Sequence, residues 1–360
     1  MLNRRLVLGS AAALLAGSTS PTRAPGGHAD EATLRALAAE TGFTGVLMTG
    51  RAGRAEQTIT LGMHDVEAGV PTRADGVYCL ASISKWLTAT AVLKLVDQGR
   101  LSLEAPITTW LPEYRADTGA KLTLTHLLSN TSGVPALLGD VMRADPSLRT
   151  RVIPTEEALR LFCQGDLKFE PGAQFDYAFT NWIIVLGIVE RVAGQAFPDA
   201  IRTLLLEPLG LNEIRGDDAF IETPRTAVSY RTLEPLVRQP NERMPMMLAA
   251  GGYYGTAADL LKAAHGVFDG DLLSTDSQRR LRTVIATGDD YALGGRVRTL
   301  MIDGQARPAA WNTGSTVGYR ALLAHRFDDG RTLVILNNTS LPNPVRGRLG
   351  DAVFGASPPA

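Results

Sequence analysis

The chain has 360 residues, 45% of them hydrophobic, with 36 basic and 37 acidic side chains, enough apolar surface for one large domain or two interleaved ones. A charged fraction of 20% and a formal net charge of −1 exclude a disordered chain and a nucleic-acid binder with a strong basic footprint. The bases are lopsided, 31 Arg against 5 Lys, so each lysine can be weighed singly.

Residues 1–24 read as a leader. Met1-Leu2-Asn3-Arg4-Arg5 is a basic start, Leu6 to Ala16 a short apolar run, and Thr22-Arg23-Ala24 a small-residue cleavage site. The run is far short of the ~20 residues a bilayer requires, which makes this a signal peptide rather than a membrane span. The arginine pair, with Gly9 and Ser10 diluting the run, leans towards twin-arginine export; an ordinary secretory signal is the alternative. Cleavage lowers the basic count from 36 to 33 against 37 acids, a mature net charge of −4. Nothing else in the chain is apolar for long enough to span a membrane. The expected product is residues 25–360, one soluble domain, periplasmic or secreted.

Ala32 to Glu40 reads as a short helix, and Phe43–Thr49 with Gln57–Leu61 as a hairpin around the turn Gly50–Arg54. Ser82 to Gln98 is helical, with Gly99 placed to end it. A Pro-punctuated helical middle follows, at Leu124–Ser129, Thr155–Gln164, Trp182–Ala193 and Phe197–Leu206. Thr256-Ala257-Ala258-Asp259 resembles a capping box opening a helix to about Phe268. Two hairpins close the pattern: Arg296–Ile302 with Gln305–Trp311, and Tyr319–Phe327 with Thr332–Asn337. A last helix runs from about Pro344 to Phe354. Strands at both ends with helices between predict an α/β (α+β) fold. Its antiparallel sheet comes from the N- and C-terminal parts, flanked by helices, with a mainly helical lobe, roughly 104–250, inserted.

Several chemistries are absent. The sequence contains no HExxH, no Walker GK[ST], no GxGxxG and no GxSxG. Its five histidines (28, 64, 126, 265, 325) are scattered, which argues against a metal site. Cys79 and Cys163 sit in no CxxC or Cys/His cluster and read as two separate core thiols, one bridge being the alternative.

What remains is Ser82-Ile83-Ser84-Lys85, an SxxK at a helix start. Residues three apart share a helix face, so the lysine amine can reach the serine hydroxyl. The N-terminal N–H groups and dipole favour a developing oxyanion there. Ser84 points elsewhere, and Lys94 reads as a solvated surface lysine. Lys85, between Ile83 and Trp86, is where desolvation would lower a pKa. The tetrapeptide alone suits equally well a capped helix with an exposed lysine.

The surroundings decide. Tyr78 to Lys85, then Gln98-Gly99-Arg100-Leu101-Ser102-Leu103 and Trp110-Leu111-Pro112, resemble the serine β-lactamase-like family of class C β-lactamases, D-Ala-D-Ala carboxypeptidases and related esterases. His126-Leu127-Leu128-Ser129-Asn130-Thr131-Ser132-Gly133 is similar to that family's HLLxxTSG segment. Pro171-Gly172 to Tyr177 with Leu186-Gly187, and Ala250-Gly251-Gly252 with Thr256 to Asp259, are similar to two more. The resemblance spans about residues 40–340 and implies a β-lactamase/transpeptidase-like fold. It implies Ser82 as acylated nucleophile, Lys85 as base or proton shuttle, and Tyr177 as a second candidate base. The backbone N–H groups of Ser82 and Ser315 would form the oxyanion hole. Substrate contacts would come from Phe179, Asn312, Thr313 and Gly314. Such proteins need no metal or organic cofactor, and the expected partner is a small acyl substrate.

Two departures bear on specificity. Phe179 stands where the family usually has Asn or Asp, and Asn312 where it usually has Lys or His. The first removes a polar partner for Lys85 and a substrate amide; the second removes a cation that could pair with a carboxylate. The expectation is therefore an exported serine hydrolase acting on carboxylic esters or related small acyl substrates. β-Lactamase or D-Ala-D-Ala carboxypeptidase activity is the alternative, and a catalytically idle ligand-binding homologue the second. A lysine base useful at pH 7–8 must come down from ~10.4, about 4 kcal/mol of desolvation and neighbouring charge.

Overall fold

The computed structural model describes residues 29–149, 151–216, 223–240 and 245–357; the leader reading, residues 1–24, lies outside them. Six strands form the main sheet: β1 (Gly45–Arg51), β2 (Arg54–Leu61), β3 (Arg296–Ile302), β4 (Gln305–Thr316), β5 (Tyr319–Arg326) and β6 (Thr332–Asn337). Their order is β2-β1-β6-β5-β4-β3, with every neighbouring pair antiparallel. The two chain ends meet where β1 pairs with β6, from Gly45↔Asn337 to Gly50↔Thr332. This is the sheet the sequence predicts.

The hairpins turn more tightly than expected. β1 and β2 are joined by Ala52 and Gly53 alone, at φ 47° and 71°, rather than across Gly50–Arg54. Two left-handed residues match the twist of the strands they join, and Asp303 (φ 50°) and Gly304 (φ 74°) do the same between β3 and β4. A second difference concerns β4, which the alternation of apolar residues ends at Trp311. Pairing with β5 carries it to Thr316↔Tyr319, because backbone hydrogen bonds hold the polar stretch Asn312–Ser315 in register. On the other side β3 begins opposite Trp311, so the last residues of β4 have no β3 partner.

Alternate strand residues face opposite layers. Leu47, Leu322, Leu333 and Ile335 pack on Leu34 of α1 (Glu31–Glu40) and on Leu349 and Phe354 of a C-terminal helix, Asn343–Phe354. Val46, Met48, Leu323 and Val334 face the larger core. That core contains α2 (Ile83–Asp97), α3 (Thr180–Ala193) and α4 (Ala257–Phe268), and Asn343–Phe354 becomes α5. Twelve of the fifteen residues of α2 are buried, as befits a helix apolar on all sides. Asp30 and Thr256 cap α1 and α4 by accepting from Thr33 N (2.8 Å) and Asp259 N (3.3 Å). Gly99 (φ 69°) lies one residue past the α2 cap. Cys79 and Cys163 are separate buried thiols.

The expected helix Phe197–Leu206 stops at Ile201 and continues as one wider π turn, Arg202–Leu206. Helices Leu138–Ala144 and Thr275–Arg282 and the hairpin Tyr230–Leu233/Leu236–Arg238 were not predicted. Thr275–Arg282 is polar nearly throughout and has no apolar stripe to read. It is held instead by Asp97, whose carboxylate accepts from Ser274 Oγ and Ser277 Oγ, both at 2.6 Å.

β4 reaches the chain before α2 through one glycine. A Cβ on Gly314 would lie 2.2 Å from the Leu80 carbonyl oxygen. Gly314→Ala should therefore cost about 1–3 kcal/mol, as overpacked sites do. Gly347→Ala, in α5 with nothing within 4 Å of its Cβ position, should gain up to about 1 kcal/mol of helix propensity. Chemical-denaturation midpoints of the two variants should move in opposite directions.

Candidate active site

The site begins with a short strand pair. Tyr78–Cys79 pairs with Tyr254–Gly255, and Leu80 N donates to Tyr253 O at 2.8 Å. Ala81 then adopts φ +46°, a left-handed conformation an L side chain rarely takes and one often stored at functional sites. This bend delivers Ser82 to the cap of α2. Its hydroxyl makes no capping bond and is left for other partners, as is its backbone N–H, which meets no acceptor among the described residues.

Lys85, one turn on, is fully buried. Its Nζ donates to Ala250 O at 2.5 Å and lies 3.3 Å from Ser82 Oγ. The carbonyl is fixed by the lacing of residues 248–253 onto α2. Thr88 Oγ1 donates to Ala249 O (2.9 Å), and Tyr253 N donates to Ser84 Oγ (3.2 Å). Ser84 thus points away from the nucleophile, as its position on the helix predicts. Three rings close over the amine, with centroids 4.8 Å (Tyr177), 4.6 Å (Phe179) and 5.6 Å (Trp182) from Nζ.

Two effects compete for the charge on Lys85. Aromatic faces favour an ammonium by about 2 kcal/mol or more when desolvated. Burying an ion without a counter-ion costs several kcal/mol, and no carboxylate pairs with Lys85 among the described residues. Desolvation wins and holds the amine well below its ordinary value. A neutral amine still donates to Ala250 O and keeps a lone pair for the Ser82 proton.

Tyr177 Oη donates to Ser82 Oγ at 2.8 Å. Desolvation raises its pKa, opposed by the Ser82 bond and the Arg296 charge, so at neutral pH it is a phenol and a donor. The HLLxxTSG-like segment positions it. Asp176 N donates to Asn130 O (2.8 Å), Gly172 N to Thr131 O (2.7 Å) and Lys168 N to Gly133 O (2.8 Å). Gly133, at φ +76°, allows this approach, since a Cβ there would sit 2.4 Å from Phe169 O. Ser132 Oγ donates to Asn181 Oδ1 (2.6 Å), tying the same segment to the start of α3.

A cavity of about 290 Å³ opens over these groups. Ser82, Tyr177, Phe179, Asn312, Thr313 and Ser315 all line it. Gly314 does not; it backs the cavity wall against Leu80 instead. Phe179 is 38% exposed and presents an apolar ring to the cavity. Asn312 is buried, with Nδ2 unpartnered. Behind the strand lies Arg346, a buried side chain the sequence reading missed. Its guanidinium donates to Gly314 O (2.5 Å), Ala321 O (2.8 Å) and Ser315 Oγ (3.1 Å), and burial pushes its pKa down to about 10. Tyr291 and Arg296 were also missed; both line the cavity from a stretch without a motif the reading used.

Other residues fall outside the site. Lys94 is half-buried rather than solvated, its Nζ donating to Leu272 O at 2.7 Å. His126 does not line the cavity and is half-buried with its Nδ1 unpartnered, and Trp86 is core. No group of three or more His, Cys, Asp or Glu side chains gathers as a metal site among the described residues.

The sequence profile of the beta-lactamase family matches residues 31–356. Esterase EstB of Burkholderia gladioli is 30% identical, over 81% of this chain and 86% of its own. A penicillin-binding protein from Bacillus halodurans superposes with a TM-score of 0.77 at 24% identity, covering 89% of this chain and 99% of that one. A D-amino acid amidase from Ochrobactrum anthropi SV3 does so with a TM-score of 0.75 at 20% identity, covering 89% and 97%. The chain belongs to the beta-lactamase family.

The lowered Lys85 pKa has a measurable sign. Between that value and ~10.4 the unfolded chain carries a proton the native state lacks, so this residue makes stability rise with pH across the window. Wild type minus Lys85→Met should therefore show a positive slope of unfolding free energy as the pH rises towards ~10.4. A flat difference would mean that Lys85 is charged in the native protein.

Proposed function

We propose that this member of the beta-lactamase family is an exported serine hydrolase that cleaves carboxylic esters through an acyl-enzyme on Ser82. The observation that carries the reading is the pair of contacts on one hydroxyl, Tyr177 Oη at 2.8 Å and Lys85 Nζ at 3.3 Å. Neutral Lys85 takes the Ser82 proton as Oγ attacks the ester carbonyl. The oxyanion is placed at the Ser82 and Ser315 N–H groups, where donors aimed at developing charge act most strongly. As the tetrahedral adduct collapses, Tyr177 gives its proton to the departing alkoxide and recovers one from the Lys85 ammonium. Water then enters, loses a proton to the same base and releases the acid, restoring the Ser82 hydroxyl.

Esters are favoured over amides and lactams by Phe179. An amide entering against that ring leaves a dipole without a partner, which costs ~1–3 kcal/mol in a dry pocket. An ester presents no N–H and is intrinsically easier to cleave. The similarity to esterase EstB points the same way, whereas the amidase and penicillin-binding protein likenesses bear on fold alone. β-Lactamase or D-Ala-D-Ala carboxypeptidase activity is the second reading, and the family resemblance is what favours it. An idle ligand-binding protein is disfavoured by a serine with both proton-transfer partners in reach.

Short-chain p-nitrophenyl esters should be turned over, with little or no hydrolysis of a chromogenic cephalosporin. Ser82→Ala should abolish labelling by a serine-directed phosphonate while leaving the melting temperature nearly unchanged. Preference for the cephalosporin overturns the ester reading, and labelling that survives the substitution overturns the nucleophile.

Export rests on Arg4-Arg5, the run Leu6 to Ala16 and Thr22-Arg23-Ala24. No helix among the described residues is long and apolar enough to cross a membrane. N-terminal sequencing of extracytoplasmic material should begin near Pro25; intact Met1 in a cytoplasmic pool would contradict cleavage.

A further inference from the structure

One wall of the cleft depends on a residue with no side chain. β3 begins at Arg296, opposite Trp311, and the residue before it, Gly295, lies against Asn312; both line the cavity. A Cβ on Gly295 would sit 1.8 Å from Asn312 Oδ1 and 2.9 Å from its Cγ. The carboxamide therefore occupies the space a side chain at 295 would need. Gly295 is not among the positive-φ glycines, so the close approach, and not the backbone, is what requires a glycine. Asn312 is 4% exposed: its amide is laid into the wall instead of standing in the cleft.

Which side would yield to a larger residue is decided by what holds each one. Gly294, at φ +75°, is seated on α2, where a Cβ would lie 2.6 Å from Lys85 O and 2.7 Å from Ala89 Cβ. Its N–H donates to Leu128 O at 2.9 Å, and Ala292 N donates to Gly295 O at 2.8 Å. On the other side Arg296 Nε donates to Asp289 O at 3.1 Å. The segment is pinned before and after Gly295 and cannot retreat. The Asn312 backbone is fixed by its pairing with Leu323 on β5. What can turn is the Asn312 side chain, by a change of rotamer, and the empty space beside it is the cavity of about 290 Å³.

We propose that Gly295 is a specificity-determining residue of this hydrolase. By leaving the Asn312 carboxamide a place in the wall, it keeps room beside Ser82 for ester groups bulkier than acetyl. The inference rests on the ester-hydrolase reading and adds a substrate size to it.

The test separates bulk on the acyl side from bulk on the alcohol side. p-Nitrophenyl isobutyrate is compared with p-nitrophenyl acetate, and 1-naphthyl acetate with phenyl acetate. In at least one pair, Gly295→Ala should lower the kcat/KM ratio of bulky to small ester by about tenfold, as one methylene of misfit does in a substrate pocket. Adding Asn312→Ala should restore the ratio, because the displaced carboxamide is then gone. Asn312→Gln, which lengthens the side chain with Gly295 in place, should lower the same ratio and serves if Gly295→Ala does not fold. A purely structural fault lowers both esters of a pair alike. Ratios unchanged in both pairs, or a fall that Asn312→Ala does not restore, overturn the inference and leave the hydrolase reading standing. A wild type that cleaves none of the four esters retires the hydrolase reading. Calorimetric binding of p-nitrophenyl isobutyrate to Ser82→Ala protein then decides the inference alone: weaker binding with Gly295→Ala supports it, and equal binding overturns it.

Discussion

A primary amine held away from water, between the Ala250 carbonyl and three aromatic rings, sets what this fold can do at Ser82. Were Lys85 exposed, it would carry a proton at neutral pH and accept none. Burial pulls the amine's pKa well below its ordinary value at the expense of folding stability, because the same side chain in the unfolded chain is hydrated and charged. The surrounding structure exists to keep the amine dry and aimed. α2 is buried on nearly all sides, and the 248–253 segment is tied to it at Lys85, Thr88 and Ser84.

Three separated parts of the chain have to converge on one hydroxyl, and the sheet makes this possible. β1 and β6 join the chain ends, which fixes β4 relative to the segment leading into α2. The tolerance there is small, since Gly314 and Leu80 O leave no room for a methyl group. Tyr177 arrives from the opposite side, on a loop held by backbone bonds to Asn130, Thr131 and Gly133. Conserving the spacing of Ser82, Tyr177 and β4 therefore depends on backbone contacts far more than on the identities of the side chains that line the cleft.

Much of this was legible in the sequence, and for identifiable reasons. The hairpins around Asp303-Gly304 and Asp328-Asp329-Gly330, the capped α4 and the SxxK at the start of α2 each have a local signature. Residues 296–311 and 319–337 paired as expected because turn residues bound each apolar strand on both sides. Less legible were features whose cause is tertiary. The extension of β4 through Asn312–Ser315 depends on β5, and the polar helix Thr275–Arg282 depends on Asp97. Arg296 and Arg346 are two among 31 arginines, with nothing local to mark one as cleft-lining and the other as buried behind Ser315. Lys94 was misread because its projection on the helix ignores Leu272 O, which belongs to another part of the chain. The rarity of lysine worked in the opposite sense and made Lys85 visible.

That rarity also makes the central claim directly measurable. With five lysines in the chain, uniform labelling at the lysine side-chain carbon and nitrogen gives few enough NMR signals to assign by single Lys→Arg substitutions at the other four positions. In such a pH titration the Lys85 signal should move through its midpoint well below ~10.4, the ordinary lysine value, and report a neutral amine at pH 7.5. A midpoint near that ordinary value would contradict the account, because Lys85 would then hold its proton when Ser82 has to give one up.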